Sequence, residues 1–414
     1  MSGKVDHAKG KAAEAVLNRV ASISYSPMFC FANPENPTTR EEICDLLIVC
    51  GNTALIWQVK SLKKKATGSF KKAGVEKAIR QARGARKTLS GTKEINLTNI
   101  EGDSVKVDLS KITKWHQVAA FIGVDPDFFS FYDDSNDIGV HLFTDDFTHK
   151  IIDYLDTLND LSDYLTAKEI LFHGKKTGFT IVGGEENLLV QYLQNARSFK
   201  DLQEQIEGST MVLLDLEGIW DDFIKSDQYK SKLIADRRGA AGWDSLIQAA
   251  AEIRHAGEDK VQQRKMIEIM SSHSRMERRA LGDAYYEGWV SLQDKPKGTT
   301  LRRISPTEVN SEKVLYIFLW QGENSQSDLR LKVLQLLALV ARKEFPDYKT
   351  IIGVGSQQFL MPQTAYDYIL AELPDSTWNE ELEKRAIEIQ KDLGFLVNLK
   401  TQKTRTHEFP GLEN

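Results

Sequence analysis

Two apolar runs, residues 46–49 and 55–57, stand out in the pattern of hydrophobic and polar positions, and they flank the dipeptide Gly51-Asn52. Glycine at the first position of a two-residue loop is typical of a type II′ hairpin turn, so the pattern predicts two antiparallel strands. Apolar residues occupy both faces of these strands, as in a sheet with helices on either side. We therefore expect this hairpin to lie in a sheet that is buried on both faces.

Three polar side chains are predicted to meet at the open end of this hairpin. With Cys50 opposite Thr53, counting outward along the two strands places Asp45 opposite Gln58. Lys60 leaves the same face as Gln58, because side chains repeat every two residues on a strand. A carboxylate and an amide oxygen suit a hard cation such as Mg²⁺, and an adjacent ammonium can orient a water molecule or stabilise a phosphate. The alternative is a simple ion pair between Asp45 and Lys60.

The remaining patterns in the first 165 residues alternate between helix and strand. They predict a helix over residues 6–21, a strand at 22–31, a helix at 70–89, a hairpin at 95–109, strands at 115–124 and 139–144, and a helix at 145–158. Glu14 lies off the apolar stripe of the first helix, where a solvated glutamate is the ordinary interpretation. Glu41 and Glu42 precede the hairpin and are either solvated or part of a metal site.

The second half of the chain has weaker patterns until residue 314. They predict short strands at 177–182 and 211–214, helices at 187–205 and 245–253, a βαβ unit at 314–355 with parallel strands, and a helix at 378–393. We therefore expect an α/β protein with an N-terminal domain at residues 1–165, a mainly helical middle region at 166–300 and an α/β C-terminal domain at 301–414.

Charge is distributed very unevenly along the chain, although the net charge is only −5. Residues 60–93 contain twelve Lys or Arg residues and one acid, whereas residues 125–163 contain eleven Asp residues and one Lys. Attraction to phosphate is screened within about 10 Å at moderate salt, so this local separation matters more than the total. The basic run begins at Lys60, beside the predicted polar group. The acidic loop with Asp133, Asp134 and Asp137 is expected to be solvated.

The cysteines and the hydropathy indicate a cytoplasmic protein. Cys30, Cys44 and Cys50 have no CxxC spacing and are expected to be buried free thiols in a reducing compartment. No apolar run approaches the roughly 20 residues that span a bilayer, and no signal-peptide core is present.

Several common enzyme motifs are missing. The sequence has no GxSxG or HExxH motif, and residues 353–355 do not continue into GxGxxG, which argues against a serine hydrolase, a zincin protease or a dinucleotide-binding site. His116 and His141 fall on neighbouring predicted strands, but no cysteine or acid spacing completes a zinc site around them.

Asp45, the strand turn and Gln58-Val59-Lys60 together resemble the D…(E/Q)xK signature of the PD-(D/E)XK nuclease superfamily, in the QxK form of Mrr-like restriction endonucleases. Residues 10–20 resemble the first helix of that fold, in which an acidic residue, here Glu14, reaches the metal. The resemblance covers about the first third of the chain; Gln58 replaces the commoner Glu, and no proline precedes Asp45. It implies a restriction-endonuclease-like αβββαβ core, a mixed sheet flanked by helices.

The resemblance also implies a metal-dependent endonuclease that acts on phosphodiester bonds, with DNA as the expected substrate. Glu14, Asp45, the Gln58 side chain and the Val59 backbone carbonyl would hold Mg²⁺ or Mn²⁺, and Lys60 would position the attacking water. By analogy, the protein would serve restriction or anti-phage defence, with the C-terminal half sensing or regulating, as a homo-oligomer or with a partner protein.

The basic run supplies the candidate contacts to nucleic acid. These are Lys63, Lys64, Lys72, Lys77, Arg80, Arg83 and Lys87, most of which lie on the exposed side of the predicted helix at 70–89. The alternative is that this side of the helix is only solvated. Gln58 keeps a second hypothesis open, a catalytically silent nuclease-like module that binds nucleic acid or another molecule, because an amide attracts a dication less than a carboxylate does.

Overall fold

Helices and mixed β-sheets alternate along the chain, so the predicted α/β class is confirmed. The computed structural model describes residues 27–62, 72–123, 131–136, 138–172, 178–209, 211–253, 258–321, 327–357, 366–397 and 407–410. The chain divides into two compact units, residues 1–230 and 231–414. Described residues between 166 and 230 group with the first unit, and the division into three independent domains stays a prediction.

The first unit contains ten of the described strands and the helices that cover them. In chain order these are β1 at Cys30–Ala32, β2 at Leu46–Cys50, β3 at Thr53–Ser61, α1 at Lys72–Ser90, β4 at Glu94–Thr98, β5 at Ser104–Asp108, β6 at Lys114–Ile122, β7 at Tyr132–Asp133, β8 at Val140–Phe143, α2 at Asp145–Tyr154, α3 at Leu158–Phe172, β9 at Gly178–Val182, α4 at Glu185–Gln194, α5 at Lys200–Ile206, β10 at Met211–Asp215, α6 at Ile219–Lys225 and α7 at Asp227–Ala235, which crosses the boundary between the units.

Six strands form the main sheet of this unit, in the order β1-β2-β3-β6-β8-β7. β1, β2 and β3 are antiparallel neighbours, β6 lies parallel to β3, β8 lies parallel to β6, and β7 closes the edge antiparallel to β8. Cys50 pairs with Thr53 and Leu46 with Trp57, which is the predicted hairpin register. Gly51 has a φ of 61°, as the first position of a type II′ turn requires.

Both faces of the main sheet are covered, as the apolar pattern predicts. On one face the sheet is covered by α1 and the β4–β5 hairpin, and Ala85 and Leu89 of α1 pack against Leu47 of β2 and Ile56 of β3. On the other face, α2 and α3 contact β6. Trp57 is fully buried there and meets Phe143 edge-on, with 5.8 Å between the ring centroids. Asp45, Gln58 and Lys60 lie on the α1 side of the sheet.

The second unit is built on the predicted βαβ unit. Its elements are α8 at Ala241–Glu252, α9 at Glu258–Ser271, α10 at Arg275–Gln293, β11 at Leu301–Val309, β12 at Glu312–Gln321, α11 at Ser327–Glu344, β13 at Thr350–Gln357, β14 at Asp367–Glu372 and α12 at Glu380–Leu393, with a π-helical turn at Asp236–Ala240 before α8. β12 and β13 are parallel and joined by α11, as predicted, and β11 and β14 are antiparallel edge strands.

Several predictions of individual elements differ from the structure. In the described part of the strand expected over residues 22–31, Pro27–Phe29 form a 3₁₀ turn and β1 begins at Cys30. The helix expected over residues 145–158 ends at Tyr154, and α3 begins after Thr157, whose hydroxyl accepts the Asp160 N–H at 3.1 Å. The helix expected over 187–205 is two helices, because Ala196 and Arg197 have left-handed φ values of 52° and 60°. β11 was not predicted, because an edge strand that includes Pro306 shows little apolar alternation.

Among the described helices, none combines the length and the apolar content that crossing a bilayer requires.

Candidate functional site

A polar cleft of about 430 Å³ opens between the end of β3, the loop before β2 and one side of α1. Its walls include the predicted residues Asp45, Gln58 and Lys60 together with Glu41, Glu42, Gln81, Gly84, Ala85 and Thr88. The sequence places the first three residues correctly, because a tight turn and a two-residue period determine where the ends of a short hairpin meet. The helix α1 forms the remaining wall of the cleft, and the sequence pattern of the hairpin does not predict its position.

Asp45 is held in one orientation by its neighbours on β3. One carboxylate oxygen, Oδ2, accepts hydrogen bonds from Gln58 Nε2 at 2.5 Å and from the Val59 backbone N–H at 2.5 Å. Gln58 is only 3% exposed, so its amide is fixed in place by the surrounding sheet and helix. The predicted pairing of Asp45 with Gln58 is therefore present in the folded chain.

The backbone of Val59 also belongs to this site. Because the N–H and C=O groups of a strand residue point to the same neighbouring strand, the Val59 carbonyl points toward the side on which its N–H contacts Asp45. β2 begins at Leu46, and its ladder with β3 ends at the pair Leu46 and Trp57. Val59 therefore extends past the end of the β2 ladder, on the side of the cleft.

Glu42 brings a second carboxylate to the cleft. The chain on either side of it is held by hydrogen bonds from Asn36 N–H to the Glu41 carbonyl at 2.8 Å and from Ile43 N–H to the Pro34 carbonyl at 2.8 Å. Partial desolvation raises the pKa of Glu42, a hydrogen bond and the charge of Asp45 raise it further, and the charge of Lys60 opposes this shift. Two carboxylates thus lie beside one lysine, an arrangement that a proton or a cation stabilises.

Three of the predicted site residues, Glu14, Lys63 and Lys64, lie outside the described residues. Of the basic residues on α1, Lys72, Lys77, Arg80 and Lys87 are exposed, as predicted. The prediction that Arg83 is also on the exposed side is wrong, because Arg83 is only 8% exposed.

Arg83 instead fastens the acidic loop to α1. Its guanidinium makes an ion pair with the Asp133 carboxylate and donates hydrogen bonds to the carbonyl oxygens of Ile138, at 2.8 Å, and Asp133, at 3.1 Å. Burial would raise the pKa of Asp133, but hydrogen bonds from Ser135 and Arg83 lower it. Asp133 is therefore not simply solvated, which corrects the expectation for this part of the loop.

The exposed basic residues of α1 stand one helical turn from the cleft wall. Arg80 lies four residues before Gly84 and Lys87 lies three residues after it, so all three share one side of the helix. Gly84 itself is exposed, and a Cβ atom built there would meet no atom within 4 Å. Bare backbone in the cleft wall, with a cation on each side of it, suits a phosphate that approaches the helix closely.

The sequence predicts only part of a second cluster of polar residues. His116 on β6 and His141 on β8 lie on neighbouring strands, as predicted, and Glu169 on α3 reaches both. Glu169 Oε1 lies 3.0 Å from His116 Nδ1 and 3.0 Å from His141 Nε2. The sequence gives no signal for this acid, because it stands on a helix 28 residues beyond His141 and no short spacing connects them.

Burial and hydrogen bonding set the charges of this cluster. Burial lowers the pKa of His141 to about 3, so the imidazole is neutral at pH 7. Burial would raise the pKa of Glu169, but hydrogen bonds from His116 and His141 outweigh it and bring that pKa to about 2. The cluster therefore combines a carboxylate with neutral imidazole nitrogen, two of the donor types that bind transition metals.

A scan of protein-family models, a search of curated proteins and a search of solved structures each found no match to this chain.

Proposed function

We propose that the protein is a metal-dependent nuclease that hydrolyses phosphodiester bonds, with DNA as the first substrate to test. The observation that carries this proposal is the convergence of Asp45, Glu42, Gln58 and Lys60 on one open cleft beside exposed cations of α1. The strand order β1-β2-β3 followed by α1 and a parallel β6 supports the proposed restriction-endonuclease-like core, with the β4–β5 hairpin inserted between α1 and β6.

The residues present fit a hard divalent ion. Asp45 helps to raise the pKa of Glu42, and a Mg²⁺ or Mn²⁺ ion bound between the two carboxylates would relieve this repulsion. Oxygen donors are the ligands that these ions prefer. Asp45, Glu42 and the Val59 carbonyl would hold the ion, and Glu42 would supply the charge that Gln58 lacks relative to glutamate. The bound ion would supply Lewis-acid polarisation of a phosphate oxygen.

The chain's own residues would position the reacting groups. Lys60, in the cleft wall beside the carboxylates, would orient the attacking water and stabilise negative charge that develops on the phosphate. Gln58 holds the Asp45 carboxylate in a fixed orientation. Arg80 and Lys87 would contact the phosphates on either side of the scissile bond, which gives affinity without base specificity.

The first test is cleavage of supercoiled plasmid with Mg²⁺ or Mn²⁺ by the full chain and by Asp45→Asn and Lys60→Met. We expect each substitution to lower the cleavage rate by about a hundredfold or more, because each removes charge from the reacting site. Lys106→Met is the matched control, since Lys106 is exposed on the β4–β5 hairpin and pairs with Glu94. Thermal melting shows whether each variant is folded; cleavage that survives both cleft substitutions contradicts the proposal.

A specific observation also favours the catalytically silent alternative. The Gln58 amide nitrogen donates to Asp45, so the side chain already satisfies the carboxylate without any ion. If this arrangement is permanent, the protein binds DNA or RNA with an affinity that depends on Arg80 and Lys87 but cleaves neither with Mg²⁺ nor with Mn²⁺. Binding measurements on single- and double-stranded DNA and RNA beside the cleavage assay separate the two functions.

A further inference from the structure

The cluster of His116, His141 and Glu169 lies on the face of the main sheet opposite the cleft. Gln58 and Lys60 are on the α1 side, whereas the two histidines and Glu169 lie on the side that α2 and α3 cover. His116 is 2% exposed and His141 fully buried, while Glu169 is partly exposed. An ion could therefore reach the cluster from solvent along the Glu169 side chain, while the two imidazoles remain fixed in the core.

We propose that His116 Nδ1, His141 Nε2 and a Glu169 carboxylate oxygen form a transition-metal site of the Zn²⁺ class. Two imidazole nitrogens and one carboxylate are a donor set that suits Zn²⁺ and neighbouring first-row ions, and it differs from the all-oxygen set that suits Mg²⁺. The site is independent of the proposed nuclease function, because it shares no residue with the cleft.

The distances within the cluster suit a single ion. The three donor atoms all lie within 4.8 Å of one another, with 3.0 Å between Glu169 Oε1 and each histidine nitrogen. Zinc binds nitrogen and oxygen at roughly 2.0–2.2 Å, so donors in a tetrahedral shell stand about 3.3–3.5 Å apart. Shifts of a few tenths of an ångström in the partly exposed Glu169 side chain would bring its oxygen to that separation from each histidine nitrogen.

The surroundings hold His116 in the orientation that a ligand needs. Its second nitrogen, Nε2, is 2.9 Å from Ser162 Oγ, so it can donate to that hydroxyl while Nδ1 faces Glu169. Such a contact to the distal nitrogen is what normally orients a metal-binding histidine. His141 Nδ1 is buried without a partner. This nitrogen would lack a partner in the ion-bound cluster as well as in the ion-free cluster, so it does not distinguish between the two.

The competing explanation is a hydrogen-bonded cluster with no ion. In that state both nitrogens that face Glu169 carry protons and donate to the same carboxylate oxygen. An ion would replace those two protons and would still join α3 to β6 and β8. The two protons would move to the distal ring nitrogens, so the neutral rings would bind the ion without losing a proton. Binding should therefore stabilise the first unit, which a permanent hydrogen-bonded cluster would not do on addition of Zn²⁺.

The experiment titrates Zn²⁺ into chelator-treated full-length protein against a chromophoric competitor and measures the melting temperature. We expect one Zn²⁺ per chain at this site, a higher melting temperature, and binding weakened about tenfold or more by Glu169→Gln and by His116→Gln. Glu169→Gln is the informative variant, because glutamine still accepts hydrogen bonds from the histidines but carries no charge. His149→Gln is the matched control, since His149 is more exposed and its Nε2 lies 3.6 Å from a carboxylate oxygen of Asp145, four residues earlier on α2.

Two further measurements make the outcome decisive. Asp45→Asn should leave Zn²⁺ binding unchanged, so loss of binding in that variant would assign the ion to the cleft and overturn the proposal. Co²⁺ in the unsubstituted protein should give visible bands of a nitrogen and oxygen shell without a thiolate charge-transfer band, since no cysteine is among the ligands. Absence of those bands, or equal Zn²⁺ affinity in Glu169→Gln, establishes the hydrogen-bonded cluster instead.

Discussion

Gly84 is the position in the cleft wall at which α1 presents bare backbone. A glycine in the middle of a helix costs roughly 0.5–1 kcal/mol relative to alanine, and a Cβ atom here would meet no atom within 4 Å. Packing among the described residues therefore does not explain why this position is glycine. Close approach of a ligand to the helix would explain it, because a side chain at this position would extend into the cleft.

We predict that Gly84→Ala raises the free energy of unfolding by about 0.5–1 kcal/mol, and that Gly84→Phe keeps the fold but lowers nucleic-acid affinity and cleavage. Chemical denaturation and filter binding measure the two effects. Ser90→Phe is the matched control, since Ser90 is exposed on α1 and is not in the cleft wall. Unchanged binding by Gly84→Phe would place the ligand elsewhere.

Arg83 contributes to the stability of the fold, whereas the exposed basic residues of the same helix are the proposed contacts to phosphate. Arg83→Ala removes the guanidinium that donates to the partly buried Asp133 and to the Ile138 carbonyl, and loss of such a pair costs about 2–4 kcal/mol. We predict this loss for Arg83→Ala and a change within about 0.5 kcal/mol for Arg80→Ala, its exposed neighbour. Equal effects in denaturation experiments would show that the Arg83 network contributes nothing particular.

At the scale of elements, α1 has two distinct sides. Ala78, Ile79, Ala82, Ala85 and Leu89 are buried against the sheet and the β4–β5 hairpin. The opposite side carries the exposed lysines and Arg80, and it borders the cleft. The helix therefore supports the sheet and could contact phosphates with different residues, so the two roles can be separated by substitution.

We predict that Arg80→Ala together with Lys87→Ala lowers the slope of log affinity against log salt concentration by about 1–2, because each neutralised phosphate contributes roughly 0.9. Fluorescence anisotropy with a duplex oligonucleotide at several salt concentrations measures the slope. Lys106→Ala with Lys111→Ala removes the same charge from exposed residues outside the cleft. A slope that falls equally in both double variants would mean that α1 has no special part in binding.

At the scale of the whole molecule, each of the two units has a core of its own. In the second unit His273 is fully buried, with Nε2 2.9 Å from the Tyr316 hydroxyl and its ring against Trp243. Burial lowers the pKa of His273, and nearby Arg278 lowers it further, although Glu277 opposes the shift. His273 therefore binds a proton less readily in the folded unit than in the unfolded chain.

The sign of the pH effect follows from that shift. Below the ordinary histidine pKa of about 6.5 the unfolded state binds a proton that the folded state does not, so stability falls as the pH falls, by up to about 1.4 kcal/mol per pH unit for one such group. We predict faster hydrogen exchange in β12 at about pH 5.5 than at about pH 7.5, after correction for intrinsic rates, and a smaller difference in His273→Gln. His149→Gln, in the first unit, should leave it unchanged; the same pH dependence in both variants would exclude His273 as its source.

The features that the sequence determines by itself are local or periodic. The hairpin register, the meeting of Asp45 with Gln58 and the parallel βαβ unit of β12, α11 and β13 follow from one tight turn, a two-residue period and the handed connection of parallel strands. These rules act over a few residues or one connection, so no knowledge of the remaining chain is needed to apply them.

Only the tertiary structure decides which residues from distant segments meet. Arg83 is buried because a loop 50 residues further along the chain lies against it, and Glu169 joins His116 because α3 packs over β6, 53 residues away in sequence. Helical periodicity assigns Arg83 to the surface, since a charged residue off the apolar stripe is normally solvated. Its burial depends on a partner that supplies compensating charge and acceptors, and such a partner can be identified only once the chain is folded.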